Sequence, residues 1–167
     1  MSEAAHSNEW LEHMRRVVPD YGGYADQATR REQDARYRQY VSDRLQELLP
    51  LLEQLIGERA RTGHVIEALP LERVRERVRA LLCALGAPDY GATAFFNARP
   101  VDETVLDLLY QYDLVLAEQV RAVRAQLEEL RAHPPSDFLQ AAERVEATLL
   151  ALEAEFKSRC DVIRRWA

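Results

Sequence analysis

The sequence predicts an all-α protein: an elongated antiparallel bundle of three to four long helices plus a short N-terminal helix, packed like a coiled coil. Two observations carry that expectation. Apolar residues recur in alternating steps of three and four over long stretches, the spacing that holds one stripe of a helix against a neighbour. The 6 Gly and 7 Pro of the 167 residues fall mostly between those stretches, where helix ends are set. With 47% hydrophobic and 30% charged residues, the chain can bury a core and fold as a single domain over residues 1–167, with 1–7 flexible.

The elements follow in chain order. Trp10, Leu11, Met14, Val17 and Val18 share helical spacing, giving a first helix from Asn8 to Val17 capped by Ser7 and stopped by Pro19. Asp20 to Tyr24 forms a turn in which Gly22 and Gly23 supply positive φ, while Tyr21 and Tyr24 pack on the neighbouring helices. A second helix starts between Ala25 and Arg30, with Thr29 and Glu32 spaced as a capping box. Its seam, Tyr37, Val41, Leu45, Leu48, Leu52 and Leu55, stays in phase across Pro50, which predicts a kink there, and Gly63 ends it.

Pro70 reads as the first residue of a third helix, which carries Leu71, Val74, Val78, Leu81 and Leu85 and closes at Gly86. Its Arg73, Arg75, Arg77 and Arg79 form either a solvated face or an anion-binding stripe. Residues 86–101 make a long connection whose Tyr90, Phe95 and Phe96 either cap the bundle or anchor a partner. Pro-Asp-Tyr-Gly occurs at 19–22 and again at 88–91, a weak hint of duplication. Asp102 or Glu103 opens a fourth helix that ends at His133-Pro134-Pro135, and Ser136 caps a fifth that runs past Ile163. The short link makes these two antiparallel neighbours.

Several chemistries lack support. Only His6 has a Glu three positions before it, Glu3, and a di-iron site on a bundle needs two such pairs, so a carboxylate-bridged di-iron site is not expected, and two distant cysteines do not make a zinc site. Cys83 and Cys160 read as buried, reduced core residues. Neither a phosphate-binding Gly-Lys loop nor a dinucleotide fingerprint occurs, and no catalytic constellation is visible, so no cofactor, metal or enzymatic activity is expected. A net charge of -6 disfavours nucleic acid as a partner, and the first nine residues lack the pattern of an export signal, which points to the cytoplasm. Apolar runs fall short of the ~20 residues a membrane span needs.

The remaining candidates are few. Asp113 falls near the fourth helix's seam, where a buried carboxylate needs a partner, and Arg36 or Arg44 of the second helix are the expected ones. Tyr21, Tyr24, Arg30, Arg31, Tyr90, Phe95 and Phe96 make a candidate interaction surface, with Arg30 and Arg31 expected to be dispensable for folding. Charge is uneven: residues 30–46 carry five arginines against three acids, and residues 127–155 seven acids against two arginines, so the two regions invite pairing within or between copies.

The run Tyr21-Gly22-Gly23-Tyr24, followed by Arg30-Arg31-Glu32, Asp34 and Arg36 or Arg38, resembles the opening of a group of uncharacterised bacterial all-helical proteins. Their turn reads Gly-Tyr-x-Gly-Tyr, and Asp20 stands here in place of the first glycine. The resemblance implies a helical fold and a bacterial source and carries no activity. The expected function is a non-enzymatic scaffold or adaptor acting through a protein partner or self-association. The alternatives are a peripheral protein laying Trp10, Met14, Val17, Arg15 and Arg16 on anionic lipid, and a small-ligand binder or enzyme with a polar pocket near Asp113.

Overall fold

Helix ends in this chain are set by local chemistry that can be followed residue by residue. The computed structural model describes residues 3–88, 94–97 and 100–165, with side chains from Glu9 onward in the first helix. Among the described residues it is all-helical, with no strand: α1 (Glu3–Val17), α2 (Arg30–Gln46), α3 (Leu48–Arg61), α4 (Val65–Gly86), α5 (Ala94–Asn97), α6 (Glu103–Ala132) and α7 (Phe138–Arg165). Some ends fall where expected. The Gly63 amide bonds the Ala60 carbonyl at 3.2 Å and the His64 amide the Arg59 carbonyl at 2.8 Å. With Gly63 at φ 80° this is a Schellman closure, and α4 starts two residues later. Asp102 caps α6, its Oδ1 accepting the Thr104 amide at 2.8 Å.

Other boundaries differ from expectation. Ser7 lies inside α1, which begins at Glu3, so it is not the N-cap. Thr29 does precede α2, but its hydroxyl bonds Asp26 Oδ2 at 3.0 Å and no capping box forms. The seam from α2 into α3 is interrupted at Glu47 instead of kinked within one helix; Pro50 thereby sits in the first turn of α3, where a missing donor costs little. Conversely, Pro70 lies one turn inside α4, which begins at Val65. Cys160 is buried as expected, whereas Cys83 is exposed.

Apolar residues from all seven helices form one core cluster, from Met14 in α1 to Ile163 in α7. α6 spans 30 residues, about 45 Å at the usual rise, and packs along α7 and α1. α3 and α4 run antiparallel, Arg59 pairing with Glu67 and Arg79 with Glu53. α4 and α7 run in the same direction, since Arg73 meets Glu146 and Arg77 meets Glu153 further along both helices. Arg73 and Arg77 thus serve the pairing of α4 with α7, Arg79 reaches Glu53 of α3, and Arg75 pairs with Glu72 and Glu76 within α4; Glu146 and Glu153 of the acid-rich region answer α4. Tyr90 lies outside the described residues.

Candidate functional site

Three charged residues sit in phase with apolar seams and meet in the core. Asp34 follows Arg30 by four and precedes Tyr37 by three in α2; Asp113 lies between Leu109 and Leu116 in α6; Arg159 lies between Phe156 and Ile163 in α7. Helical phase leaves them no route to solvent. Asp113, Arg159 and Tyr24 are each 0% exposed and Asp34 is 2%.

Their polar atoms are consumed by one another. Arg159 Nε donates to Asp113 Oδ1 at 2.5 Å, and its Nη2 reaches both Asp34 Oδ1 and the Tyr24 hydroxyl at 2.8 Å. The hydroxyls of Tyr24 and Tyr21 donate to Asp113 Oδ2 at 2.5 and 2.9 Å. Tyr37 donates to the Asp113 backbone carbonyl at 2.9 Å. Beyond Asp34, Arg38 closes the chain through Nε at 3.0 Å and anchors to the Leu85 carbonyl at 2.6 Å, which ties α4 to the cluster. The network thus joins the 19–24 turn, α2, α4, α6 and α7.

Aromatic packing completes the enclosure. Tyr24 stacks on Tyr110 at 5.7 Å between centroids and meets Phe95 edge-on at 5.9 Å, while Tyr21 meets Tyr24 edge-on at 5.8 Å. The Arg159 guanidinium lies 5.0 Å from the Tyr37 ring centroid, a cation–π contact in a desolvated setting. Burial pushes the phenols of Tyr21, Tyr24 and Tyr37 well above their ordinary range. Burial also pushes the Asp113 carboxyl up, while Arg159 and the hydroxyls of Tyr24 and Tyr21 pull it back. All the side-chain contacts to its oxygens are donors, the arrangement that a carboxylate accepts.

The turn that delivers two of these tyrosines depends on two left-handed residues. Asp20 has φ 58° and Gly23 φ 79°, so the positive φ expected at Gly22 falls on Asp20 instead. Asp tolerates this conformation better than most residues. Gly23 also lies where a Cβ would stand 2.7 Å from the Tyr110 hydroxyl and 2.8 Å from Leu11 Cδ1. That close approach lets the Tyr24 amide donate to the Tyr110 hydroxyl at 2.9 Å. On the other side of the turn the Gly22 amide donates to Gln33 Oε1 at 2.7 Å.

The structure rearranges the sequence-derived candidates. Asp113 is in the polar core, but its partner is Arg159, not Arg36 or Arg44; those two arginines lie on the outer side of α2 with surface acids. Tyr21, Tyr24, Arg30, Phe95 and Phe96 are buried, so they do not form an open interaction surface. Arg30 is structural: its guanidinium donates to the carbonyls of Tyr24 at 2.7 Å and Phe95 at 2.6 Å and faces the Phe95 ring at 5.1 Å. Arg31 is exposed, lying over Phe96 at 4.7 Å. Of the residues on which the lipid alternative rests, Met14 is buried and Val17 packs against the core, while Arg15 and Arg16 are exposed.

Sequence reasoning missed Asp34, Arg38 and Arg159. The legible signal was phase: Asp34 and Arg159 occupy seam positions of amphipathic helices, where an unpaired charge is costly. No family model, curated protein or solved structure matches the chain.

Proposed function

We propose that the protein is a non-enzymatic helical scaffold or adaptor, an elongated coiled-coil-like bundle in the cytoplasm that works through contacts with other proteins. One observation carries this reading: the side chains with the richest chemistry are fully buried and engaged with one another. Asp113, Arg159 and Tyr24 have no exposed surface on which a substrate could settle. Their role in this reading is to fix the relative placement of five segments, so that the outer faces present a defined shape. Buried, hydrogen-bonded charge serves specificity of packing in some proteins more than it serves net stability.

The experiment is cross-linking mass spectrometry on the full chain in its own cells, combined with light scattering of the purified protein. Reproducible cross-links to one protein, or a stable complex, are the expected result. A compact monomer without a protein cross-link, together with ligand-induced thermal stabilisation in a metabolite library that Asp113→Asn abolishes, would replace the scaffold reading with the small-ligand one.

A further inference from the structure

α4 and α7 run side by side in one direction, and their outer side has an apolar end and a hollow end. The Arg73–Glu146 ion pair sets the register between them. Two helical turns before each member of that pair stand Ile66 and Leu139, so helical phase brings both to one end and one flank, with Leu69 a turn beyond Ile66. Ile66 is 69% exposed, Leu69 49% and Leu139 38%, an apolar group of the kind that marks a contact face. At the other end of the same two helices lies a recess of about 410 Å³, walled by Ala84, Ala87 and Pro88 on one side and by Phe156 and Cys160 on the other, with Lys157 and Arg164 at its rim. Leu150, 41% exposed, lies on α7 midway between the two ends.

Charge is arranged about the same midpoint. Glu143 stands two turns before Leu150 and Lys157, the only lysine of the chain, two turns after it, and both are exposed. Neither makes an ion pair or a side-chain hydrogen bond among the described residues. Arg73, close to Glu143, is taken by Glu146 through Nε at 2.8 Å and Nη2 at 2.7 Å. The exposed stripe Glu143, Ala147, Leu150, Ala154 and Lys157 is therefore its own electrostatic complement when a second stripe runs the other way.

We propose that this face is a two-fold interface between two copies of the chain, in which α7 crosses the second copy's α7 antiparallel at Leu150. A two-fold axis lying across the helices sets α7 over α7 and α4 over α4, so that levels equidistant from Leu150 meet. Leu139 and Ile66 then come over the second copy's recess, and Glu143 meets the second copy's Lys157, each contact occurring twice. Leu150 covers itself, and the small Ala147 and Ala154 meet on either side of it without holding the helices apart. The face is about 30 Å long and about 20 Å wide, on the order of the 800 Å² that each side of a stable interface contributes. An unrelated partner would have to match the apolar end, the recess and the two charges together; a second copy supplies all of them by symmetry. Resting on the scaffold reading above, this names the face used and makes another copy of the chain its partner.

The test is sedimentation velocity of the purified full chain and its variants over about 1 to about 100 µM. A particle of twice the 19.2 kDa chain mass is expected for the parent. Leu150→Glu, which sets two carboxylates together on the axis, is expected to weaken dimerisation at least about a hundredfold. Its circular dichroism should match the parent, because Leu150 is exposed. Glu143→Lys and Lys157→Glu should each weaken the dimer about tenfold at low salt, and the two reversals combined should restore it to within about threefold of the parent. A monomer at every concentration, a dimer indifferent to Leu150→Glu, or a double reversal no tighter than the singles would overturn the proposal. So would a monomeric chain that uses Leu150 to capture a different protein or phosphatidylserine vesicles, since either gives the face to another occupant. If the chain is monomeric and cross-linking finds another protein, the two-fold interface fails while the scaffold reading stands; a monomer with no protein partner ends both.

Discussion

Replacing Asp113 with Asn removes one charge from the core and changes almost no volume, which makes it a direct probe of the buried network. In the parent, the Asp113 carboxylate accepts from Arg159 at 2.5 Å and from two tyrosine hydroxyls at 2.5 and 2.9 Å. Asn keeps one acceptor oxygen and turns the other position into a donor, so either Arg159 or the tyrosine pair faces an NH₂ group. Arg159 retains Asp34 at 2.8 Å but becomes part of a cluster with excess positive charge and no solvent. Breaking one partner of a buried ion pair costs about 3–5 kcal/mol. For a chain of this size that corresponds to a fall in Tm of roughly 6–20 °C. Urea unfolding followed by circular dichroism reads the free energy, and calorimetry reads Tm. The cycle with Arg159→Met sharpens the test: Asp113→Asn with Arg159→Met should be less destabilised than the two singles added together, because the second change removes the stranded charge. A loss below about 1 kcal/mol for Asp113→Asn, or strict additivity in the cycle, would refute the reasoning from mutual satisfaction.

Three further outcomes follow from neighbouring features. Gly23→Ala combines a left-handed φ of 79° with a Cβ 2.7 Å from the Tyr110 hydroxyl, and should cost roughly 2–5 kcal/mol in urea melts. Gly22→Ala, where φ is not positive and the Cβ meets only the end of the Gln33 side chain at 3.0 Å, should cost at least about 1 kcal/mol less. At alkaline pH, Tyr21, Tyr24 and Tyr37 have folded pKa values raised well above 10.0. Their contribution is therefore complete below the unfolded pKa and is lost as pH rises past it toward the folded values, at about 1.4 kcal/mol per pH unit for each tyrosine. Tyrosinate absorbance from these rings should appear only together with loss of helical circular dichroism, and not before it. Arg30→Ala, which strands the carbonyls of Tyr24 and Phe95, should cost about 2–4 kcal/mol, whereas Arg31→Ala on the surface should stay within about 1 kcal/mol in the same melts.

Helical class and most helix ends could be read from the chain because they rest on local signals. Gly63, Asp102 and the in-phase leucines act within a turn or two of themselves, and the fold follows them. Pro50 and Pro70 show the limit of such signals. A proline is permitted at a first turn and tolerated inside a helix whose far side is packed, and only tertiary contacts decide between the two. The polar core was half legible. Asp113 stood out because a carboxylate near a seam needs a partner, but the partner lies 46 positions away and no local spacing links it to Asp113. From sequence, Arg30 reads as part of a surface, and Arg159 is not singled out at all. Reading each charge by its helical phase instead separates them: Arg30, Asp34 and Arg159 follow the seam, while Arg31, Arg36 and Arg164 do not. Tyr21 and Tyr24 read both as packing residues and as part of an interaction surface; their burial fits the packing, and Gly23 serves the close approach to Tyr110.

The central claim is that this cluster is closed and clamps the 19–24 turn to the long helices, leaving the outer surface to do the work. Amide hydrogen exchange at Tyr24 tests it most directly, since that amide lies outside any helix and bonds only a side chain, the Tyr110 hydroxyl at 2.9 Å. A clamped turn makes the Tyr24 amide exchange only through global unfolding, with the same opening free energy as the core amides of α6 around Asp113. Exchange at Tyr24 orders of magnitude faster than at those α6 amides would mean that the turn opens by itself and exposes the tyrosines, which would contradict the claim.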